Sequence, residues 1–377
     1  MSDVTIIGGG PAGLSAAIEL RRRGVRVTVL ERELQAGGIP RQLPHPGFGM
    51  RDRHRLTTGP RYAAGLVRAA ERAGVDLRTG ETVTSIDALH ADAIVLATGA
   101  RERPRSARLV AGDRPAGVFT TGALQRFVAQ HGRIGGRAVV VGAEHVSYSA
   151  VLTLRHAGCH TVAITTTFDR HQTYPALAWA TARRVPLHTN ANVVEIIGRT
   201  RVEAVVLSDG SRIECDLVVF TGDWVPDHEL ARRADLPMLA VAKAPVVSDD
   251  FQTERPGVFA IGNLVHPAET ADVCGLDGRH VAPAVLDWLT LGRWPITVTP
   301  IEVRAPVAWA SYDGRGITLR VADIVHGRIR LTHSGEVQWI SDQGTWLPNR
   351  SITIRRDAMK FTSRPFDDQR LLVDVLR

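Results

Sequence analysis

Residues 4–31 read VTIIGGGPAGLSAAIELRRRGVRVTVLE, and this stretch decides the fold. It opens with an apolar run, Val4–Ile7, which is typical of a buried parallel strand. A glycine-rich turn follows, and then a helical pattern that stops at Gly24. A second apolar run, Val25–Leu30, predicts a second parallel strand. The order of strand, turn, helix and strand predicts a βαβ unit of the kind that binds a dinucleotide.

The turn has the spacing Gly8-x-Gly10-x-x-Gly13, and each glycine has a physical reason to be there. Gly8 permits a tight turn, Gly10 leaves the backbone bare for a pyrophosphate, and Gly13 lets helix and strand pack closely. The helix N-terminus supplies free amides and a dipole for the phosphate charge. Glu31, 18 residues beyond Gly13, can accept hydrogen bonds from a ribose diol. The alternative, a glycine-rich turn that binds nothing, is disfavoured by the matching strands, helix and carboxylate.

Bulk composition limits the classes of function. The chain has 377 residues, enough for two or three domains, and its 44% hydrophobic and 23% charged residues are ordinary for globular proteins. No run approaches the ~20 apolar residues that cross a bilayer. The first strand begins at once and leaves no room for a signal peptide. We therefore expect a cytoplasmic protein without an integral membrane segment, or one held at the inner membrane only through a partner.

Cysteine and charge patterns exclude further classes. Cys159, Cys215 and Cys274 form no CxxC pair, so a redox dithiol, a metal site and an iron–sulfur cluster are not expected. The formal net charge is +7, but the basic residues are spread along the chain and are arginine except at Lys243 and Lys360. No basic-aromatic stripe occurs, so nucleic-acid binding is not expected. Anionic cofactors, anionic substrates or an acidic partner subunit explain the charge more simply.

A second, degenerate copy of the opening βαβ pattern lies in the middle of the chain. Val139–Val141 predicts a strand, Gly142–Ser147 a turn, Tyr148–Ala157 a helix and Thr161–Thr165 a second strand. The sequence therefore predicts two dinucleotide-type βαβ units.

Each unit is followed by an apolar run that ends in Thr-Gly, Asp92–Gly99 for the first and Asp216–Gly222 for the second. A further strand and turn, Gly257–Asn263, precede a long segment that ends near Gly292. This order resembles the flavoproteins with two dinucleotide-binding domains, the thioredoxin-reductase-like class, over residues 3–295. The resemblance implies FAD on the first domain and a second domain inserted within it.

The expected fold class is α/β, with two Rossmann-like dinucleotide-binding domains and a small C-terminal antiparallel β-domain. The resemblance implies an FAD-binding domain at residues 1–108 and 245–298, and an inserted, degenerate NAD(P)-type domain at residues 109–244. Residues 299–377 show short β-branched runs between glycine-containing turns and predict the β-domain. Its predicted strands are Ile317–Val321, Arg328–Thr332, Val337–Ile340 and Ser351–Ile354. The sequence favours docking or dimerisation over catalysis for this domain.

The resemblance can be carried over residue by residue. It implies FAD contacts from Gly8, Gly10, Pro11, Ala12, Gly13, Glu31, Arg32, Gly38, Arg41, Val83, Thr98, Gly99, Gly262, Asn263 and Thr270. Val83, within Glu81–Thr84, corresponds to a strand that borders adenine. Asn263 stands where the family has aspartate. Its amide can still hydrogen-bond a ribityl hydroxyl, but a fixed negative charge is lost.

Catalytic residues are not specified, and three weak candidates stand out. Glu269 precedes a predicted helix N-terminus that the resemblance places near the flavin, where plain capping is an equal alternative. Cys274 is more typical of a packed small residue than of a reactive thiol. His45 lies in a cationic loop, residues 40–55, that could orient an anionic substrate or a partner carboxylate, with solvated charge as the alternative.

The second turn lacks features of a working NAD(P)H site. Gly142 is kept, but Glu144 and Ser147 replace the second and third glycines. We expect the Glu144 carboxylate to face the pyrophosphate, where like charge costs several kcal/mol unless it is neutralised. The following strand ends in threonines, without the acid that selects NAD or the arginines that select NADP. NAD(P) binding at this doubtful second nucleotide site is therefore disfavoured.

Three segments, Thr98–Pro104, Arg114–Gln125 and Val141–Ser147, narrow the resemblance. They look like the FAD-binding subunits of multi-subunit enzymes such as opine oxidase, hydrogen cyanide synthase, dye-linked proline dehydrogenase and the glycerol-3-phosphate dehydrogenase complexes. The resemblance implies an electron-relay subunit that serves a second flavoprotein dehydrogenase subunit, with a further partner in a small ferredoxin-like subunit. The cysteine-rich C-terminal module of some members is missing. A stand-alone NAD(P)H-dependent flavin reductase or oxidase, and a non-catalytic FAD or adenine-nucleotide scaffold, remain alternatives.

Overall fold

Two parallel sheets and a C-terminal, mainly antiparallel region build the molecule. The computed structural model describes residues 2–240, 242–266, 269–294, 301–360 and 371–376. The expected domain boundary between residues 298 and 299 lies outside these ranges.

The first part of the chain folds as the opening βαβ unit and its continuation. Its elements are β1 (Asp3–Ile7), α1 (Pro11–Arg22), β2 (Arg26–Glu31), β3 (Pro46–Phe48), β4 (Thr57–Thr58), α2 (Gly59–Arg72), β5 (Asp76–Thr79), β6 (Ala93–Leu96) and β7 (Ala100–Glu102), with 3₁₀ turns at Ile39–Gln42 and Ile86–Ala88. β2 and β6 pair in parallel with β1 on either side, and β5 extends the sheet beyond β2. The predicted strands and helix of the opening unit are confirmed to within two residues.

The middle of the chain builds a second parallel sheet and a smaller sheet beside it. Its elements are β8 (Ala111–Gly112), β9 (Val118–Thr120), α3 (Thr121–His131), β10 (Arg137–Val141), α4 (His145–His156), β11 (His160–Thr165), α5 (Pro175–Ala182), β12 (Leu187–His188), β13 (Val193–Ile197), β14 (Ala204–Leu207), β15 (Arg212–Glu214), β16 (Leu217–Phe220), β17 (Trp224–Pro226), α6 (Glu229–Arg233), β18 (Met238–Leu239) and β19 (Ala244–Pro245), with a 3₁₀ turn at Arg105–Arg108. The parallel sheet has the order β12-β11-β10-β16-β9, and β8, β13, β14 and β15 form the smaller sheet. β7 and β17 pair antiparallel where the chain crosses between the two parallel sheets.

The chain then returns to the first sheet. β20 (Val258–Ala260) pairs in parallel with β6 and completes the order β20-β6-β1-β2-β5. After a 3₁₀ turn at Gly262–Leu264, α7 (Ala271–Leu291) packs along α1. A Cβ on Gly278 would lie 2.1 Å from the Ala12 carbonyl oxygen, so this close helix contact requires glycine. The return confirms the predicted fold class, in which one Rossmann-like unit interrupts another.

The C-terminal region is the predicted β structure. Its elements are β21 (Ile301–Val303), β22 (Val307–Tyr312), β23 (Gly316–Val321), β24 (Val325–His333), β25 (Glu336–Ile340), β26 (Gly344–Trp346), β27 (Ile352–Arg355) and β28 (Leu371–Leu376), with a 3₁₀ turn at Arg356–Ala358. β21, β28, β24 and β25 form one sheet and β22, β23 and β27 another, while β26 pairs with β24. The four predicted strands correspond to β23, β24, β25 and β27. The sequence missed four others, of which β21 and β26 have three residues each, too few to show a two-residue period.

Two local predictions are wrong. The helix expected from Tyr148 begins three residues earlier, at His145, because Glu144 is already its N-cap. The strand expected at Glu81–Thr84 is not formed, and the backbone there pairs with no strand of the described chain. The first sheet ends at β5, and the Glu81 amide donates instead to the Glu31 carbonyl at 3.0 Å.

Candidate functional site

The first glycine turn is open on the side that a dinucleotide would occupy. A Cβ on Gly13 would lie 2.0 Å from the Gly8 carbonyl oxygen, and one on Gly8 would lie 2.3 Å from that of Ala97. Packing within the chain therefore requires glycine at both positions. A Cβ on Gly10 would have the Gly38 Cα, at 3.9 Å, as its nearest described neighbour. The bare backbone at Gly10 thus faces space that the protein leaves free, which is the room a pyrophosphate needs.

Glu31 ends β2 beside this turn and is 8% exposed. Its Oε2 accepts a hydrogen bond from the Gly9 amide at 2.8 Å, and its Oε1 accepts one from the Glu33 amide at 2.8 Å. Each carboxylate oxygen keeps a second acceptor position, which could take a ribose hydroxyl. Arg32 forms an ion pair, in which its Nη2 lies 3.2 Å from Asp227 Oδ2.

Arg41 carries an unsatisfied buried donor. Its Nη1 donates to Gln35 Oε1 at 3.0 Å, whereas its Nε is buried without a partner among the described residues. Buried donors normally have an acceptor, and the guanidinium geometry suits phosphate. The bare backbone at Gly10 and Gly38 and the guanidinium of Arg41 therefore fit the phosphates of FAD, and the Glu31 carboxylate fits its ribose.

The turn after β6 is held by the middle of the chain. Thr98 Oγ1 donates to the Asp227 carbonyl at 2.7 Å, and the Asp227 amide donates to the Gly99 carbonyl at 2.8 Å. Val83 is half-buried and packs against the cluster that includes Ile86. These contacts fix the backbone of both segments.

Asn263 closes the turn after β20. Gly262 lies in the left-handed region (φ 68°). Asn263 Nδ2 donates to the Glu269 carbonyl at 3.1 Å, and its Oδ1 accepts from the Glu269 amide at 2.8 Å. The side chain keeps one N–H and one acceptor position for a ribityl hydroxyl. Thr270, the N-cap of α7, follows this turn directly.

The Glu269 side chain is held by the C-terminal region. Arg320 Nη2 donates to Oε1 at 2.9 Å, and Ser351 Oγ donates to Oε2 at 3.0 Å. The Glu269 side chain is 4% exposed. Thr270 is the N-cap of α7 and, among the described residues, no side-chain hydrogen bond caps this helix, so the Glu269 carboxylate is engaged by the C-terminal region instead of the helix N-terminus. The capping role expected from the sequence is wrong, whereas the catalytic role stays a prediction.

Cys274 and His45 also lie in structural contacts. Cys274 is 5% exposed. Burial, together with the charges of Asp277 and Glu269, raises the pKa of its thiol well above the ordinary value, so it lacks the thiolate that a nucleophile needs. His45 Nε2 lies 2.7 Å from Ser149 Oγ on α4 and joins the two parts of the chain. The three weak candidates therefore fit structural roles better than catalytic ones.

A second anchor for the C-terminal region, which the sequence did not predict, is a buried cluster around Asp277. His266 Nε2 lies 2.7 Å from Asp277 Oδ2, and these side chains are 5% and 0% exposed. Arg315, from the turn between β22 and β23, donates to Asp277 Oδ1 at 2.5 Å. Burial raises the pKa of Asp277 to about 6, against the opposing charges of His266 and Arg315. We call Arg315, Arg320 and Ser351 the C-terminal clamp.

The second glycine turn is closed. Glu144 is the N-cap of α4 and is 6% exposed. Its amide donates to Ser147 Oγ at 3.2 Å, and this hydroxyl lies 2.7 Å from Thr221 Oγ1. Burial raises the pKa of Glu144, with the Thr221 hydroxyl opposing the rise. The expectation of an outward, charged carboxylate is therefore wrong, because Glu144 turns into the protein, where burial favours its neutral form.

The Glu144 side chain fills the crevice between two strand ends. A Cβ on Gly142, after β10, would lie 2.7 Å from Glu144 Oε2, and one on Gly222, after β16, would lie 2.8 Å from Oε1. Open α/β sheets bind nucleotides at this position, where the connections on either side diverge. The Gln172 amide also donates to the Ala143 carbonyl at 2.8 Å, so the loop after β11 folds over the turn. At the second turn, the Glu144 side chain and the loop after β11 therefore occupy the space that is free at the first turn.

Glu102, the last residue of β7, is a second buried acid near this crevice. Its Oε2 accepts from the Gly122 amide at 2.7 Å. Burial raises its pKa from 4.5 to about 7, and repulsion from Glu144 adds to the rise.

We expect Glu102→Gln to flatten the pH dependence of stability. The folded protein keeps this proton up to about pH 7, whereas the unfolded chain releases it near 4.5. Wild-type stability therefore falls as the pH rises through this window, by about 3 kcal/mol. The melting temperature of the variant should exceed that of the wild type at about pH 8 and approach it at about pH 5. Glu71→Gln, at an exposed position of α2, should follow the wild-type profile, and a Glu102→Gln profile parallel to the wild type would contradict the assignment.

Comparison with known proteins identifies the family. The profile of the pyridine nucleotide-disulphide oxidoreductases matches residues 2–278. The chain therefore belongs to this family of oxidoreductases. No helix among the described residues is long and apolar enough to cross a membrane. In the same residues, no group of three or more His, Cys, Asp or Glu side chains is placed to hold a metal ion.

Relatives of known name include components of larger enzymes. A putative glutamate synthase (NADPH) small chain from Cereibacter sphaeroides is 28% identical over 76% of each chain. The A component of opine oxidase from Agrobacterium tumefaciens is 28% identical over 83% of this chain and 71% of that protein. The alpha component of sarcosine oxidase from Corynebacterium sp. is 29% identical over 94% of this chain, which spans 37% of that protein.

Solved structures agree on the fold. T. acidophilum thioredoxin reductase superposes with a TM-score of 0.64 at 21% identity and covers 77% of this chain and 100% of its own. A NAD-dependent persulfide reductase from A. fulgidus gives a TM-score of 0.57 at 20% identity, over 88% of this chain and 67% of its own. The thioredoxin-reductase-like fold predicted from the sequence is confirmed.

Proposed function

We propose that this chain is an FAD-dependent oxidoreductase that relays electrons as one subunit of a multi-subunit dehydrogenase or oxidase. The observation that carries the proposal is the contrast between its two glycine turns. The turn at Gly10 faces free space beside Glu31 and Arg41, whereas the turn at Glu144 is filled by its own side chain. The first nucleotide site is open, whereas the second has no room for a nicotinamide cofactor. This combination suits a protein whose electrons come from another subunit.

FAD, when bound, supplies electron transfer between a donor and an acceptor. The residues of this chain would hold it: the amides at the start of α1 and Arg41 take the pyrophosphate, Glu31 the adenosine ribose, and Asn263 a ribityl hydroxyl. α7 begins beside the Asn263 turn, and its N-terminal dipole favours negative charge there. No side chain of this chain is required as a nucleophile.

The names of the relatives, which describe components of opine oxidase, sarcosine oxidase and glutamate synthase, support a partner subunit for this chain. We infer that a second flavoprotein subunit oxidises an amine, an opine, an amino acid or a hydroxy compound and that this chain accepts its electrons. A small ferredoxin-like subunit would be a further partner.

The test is an anaerobic titration of the purified chain with NADH and NADPH, followed by visible flavin absorbance. Protein that carries flavin and does not bleach supports the relay. Rapid bleaching would instead indicate a stand-alone NAD(P)H-dependent reductase. A preparation that neither contains nor takes up FAD would contradict the flavin assignment itself.

Glu144→Gly is expected to open the second crevice and to increase the affinity for NADH or NADPH by about tenfold or more. Glycine is tolerated at an N-cap, so α4 should still form. Glu144→Gln is the matched control, because its side chain keeps the crevice filled. Isothermal titration calorimetry measures the affinities. If Glu144→Gly binds neither nucleotide better than Glu144→Gln does, the side chain is not what closes the site.

A further inference from the structure

The segment between β3 and β4, residues 49–56, carries an exposed basic and apolar surface, and we call it the arginine loop. Its sequence is GMRDRHRL. Met50 and Leu56 are 56% and 60% exposed, and Arg51 and Arg55 between them are exposed as well. Methionine and arginine are enriched in protein–protein interfaces. The composition therefore indicates a surface for a protein partner.

Among the described residues, no exposed acid lies within ion-pair distance of the exposed arginines of the arginine loop. Its one acid, Asp52, is buried. Tyr62 Oη donates to Asp52 Oδ2 at 2.8 Å, and the guanidinium groups of Arg53 and Arg279 each lie 3.8 Å from the same oxygen. Arg51 and Arg55 form no ion pair within the described part of the chain. The loop therefore favours a partner whose contact face is acidic.

Hydrogen bonds fix the shape of the arginine loop. The Gly49 carbonyl accepts from the amides of Arg53 and Arg55 at 3.2 and 2.9 Å. The amides of Gly49 and Arg51 donate to the two oxygens of Asp272 at 2.8 and 2.9 Å. Asp272 lies in the first turn of α7. A loop held in one shape loses little entropy when a partner binds.

We propose that the arginine loop is the docking surface for the acidic face of an electron-transfer protein. The redox nature of the partner rests on the proposed function, whereas its acidity rests on the loop alone. Asp272 ties the loop to the start of α7, so a docked partner would lie at the end of the molecule proposed to hold the flavin. A nucleic acid is disfavoured because the loop has no Phe, Tyr or Trp on which bases could stack. An anionic membrane surface is typically recognised by about four to eight clustered basic residues, whereas Arg51 and Arg55 are the two exposed arginines of this loop without an ion pair among the described residues.

The test uses FAD-loaded protein and a plant-type 2Fe–2S ferredoxin as an acidic electron-transfer probe. Surface plasmon resonance would measure the affinity at low and high salt. We expect salt-sensitive binding by the wild type. The exposed-surface variant Arg51→Glu/Arg55→Glu should weaken it by about tenfold or more. Arg199→Glu/Arg212→Glu makes the same charge change at two exposed positions, one in the connection between β13 and β14 and one in β15, and should weaken binding by less than about threefold.

Four outcomes would overturn the docking surface. One is equal affinity of the two double variants for ferredoxin. Another is absence of salt-sensitive ferredoxin binding by the wild type, or equally strong binding to basic cytochrome c. The last is loop-dependent binding to phosphatidylserine vesicles without loop-dependent binding to ferredoxin, which would assign the loop to a membrane surface.

Flavin content and NADH bleaching, recorded on the same samples, separate the two proposals. Binding to the probe needs no turnover. A colourless or NADH-bleached protein therefore contradicts the relay function without deciding the docking surface. Full flavin content with no difference between the double variants contradicts the docking surface alone.

Discussion

Gly10→Ala is expected to leave the fold intact and to abolish retention of FAD. The backbone at Gly10 is extended (φ −84°), and the nearest described neighbour of the new methyl group is the Gly38 Cα at 3.9 Å, so the apoprotein accommodates it. The methyl group instead fills the space proposed for the pyrophosphate. Loss of two charge-assisted amide hydrogen bonds, each worth about 1.5 kcal/mol, lowers the affinity about 100-fold. The measurements are the flavin-to-protein ratio after desalting and the dissociation constant of the reconstituted apoprotein.

Gly122→Ala is the matched control. Its Cβ would lie 3.5 Å from Glu102 Oε2, an ordinary contact in the first turn of α3. The control should retain FAD as the wild type does, and both variant apoproteins should melt as the wild-type apoprotein does. Gly13→Ala cannot serve this purpose, because its Cβ would collide with the Gly8 carbonyl and disturb folding. Wild-type flavin content in Gly10→Ala would show that the cofactor does not pass over this turn.

Arg315→Ala should release one anchor of the C-terminal clamp and lower the free energy of unfolding by about 3 kcal/mol. The variant leaves Asp277, 0% exposed, without the guanidinium that donates to it at 2.5 Å. The loss should be larger at about pH 8 than at about pH 5, because burial raises the pKa of Asp277 to about 6 and the carboxylate is charged only above that value. Chemical denaturation followed by tryptophan fluorescence measures the change.

Arg355→Ala is the control for this variant. Arg355 pairs with Asp357 at 2.6 Å, but the two side chains are 77% and 65% exposed, so the pair should contribute less than about 1 kcal/mol. Asp277→Asn combined with Arg315→Ala should recover stability relative to Arg315→Ala, since no unpaired charge then remains buried. If Arg315→Ala and Arg355→Ala lower the free energy of unfolding by similar amounts, the buried ion pair contributes no more to stability than the exposed one.

The two βαβ units can be predicted from sequence because their signals are local. A glycine at φ 112°, such as Gly8, and apolar runs of four to six residues are consequences of neighbouring residues alone. The return of the chain to the first sheet cannot be predicted from any one local pattern. It is predicted only by the order in which the βαβ units and the later apolar strands follow one another.

Side-chain directions set by distant residues cannot be predicted in this way. The same Glu144 could face solvent or the crevice, and the choice depends on Thr221, which lies 74 residues beyond Ser147 in the hydrogen-bonded group. The sequence marks Glu269 as an unusual acid, but its partner Arg320 is 51 residues away. The local sequence indicates the Asp277 anchor only by an acidic residue within the mostly apolar stretch of α7. It does not predict which residues contact this acid.

The C-terminal region touches both Rossmann-like units. Arg320 binds Glu269 beside the first sheet, and the Arg350 guanidinium lies 4.0 Å from the ring centroid of Tyr174, in the loop before α5. The T. acidophilum thioredoxin reductase match covers all of that chain but 77% of this one. Because the C-terminal region contacts both Rossmann-like units, it opposes rotation of one unit relative to the other. If the chain relays electrons as proposed, we therefore expect its partners to dock onto a molecule whose two halves keep one relative orientation.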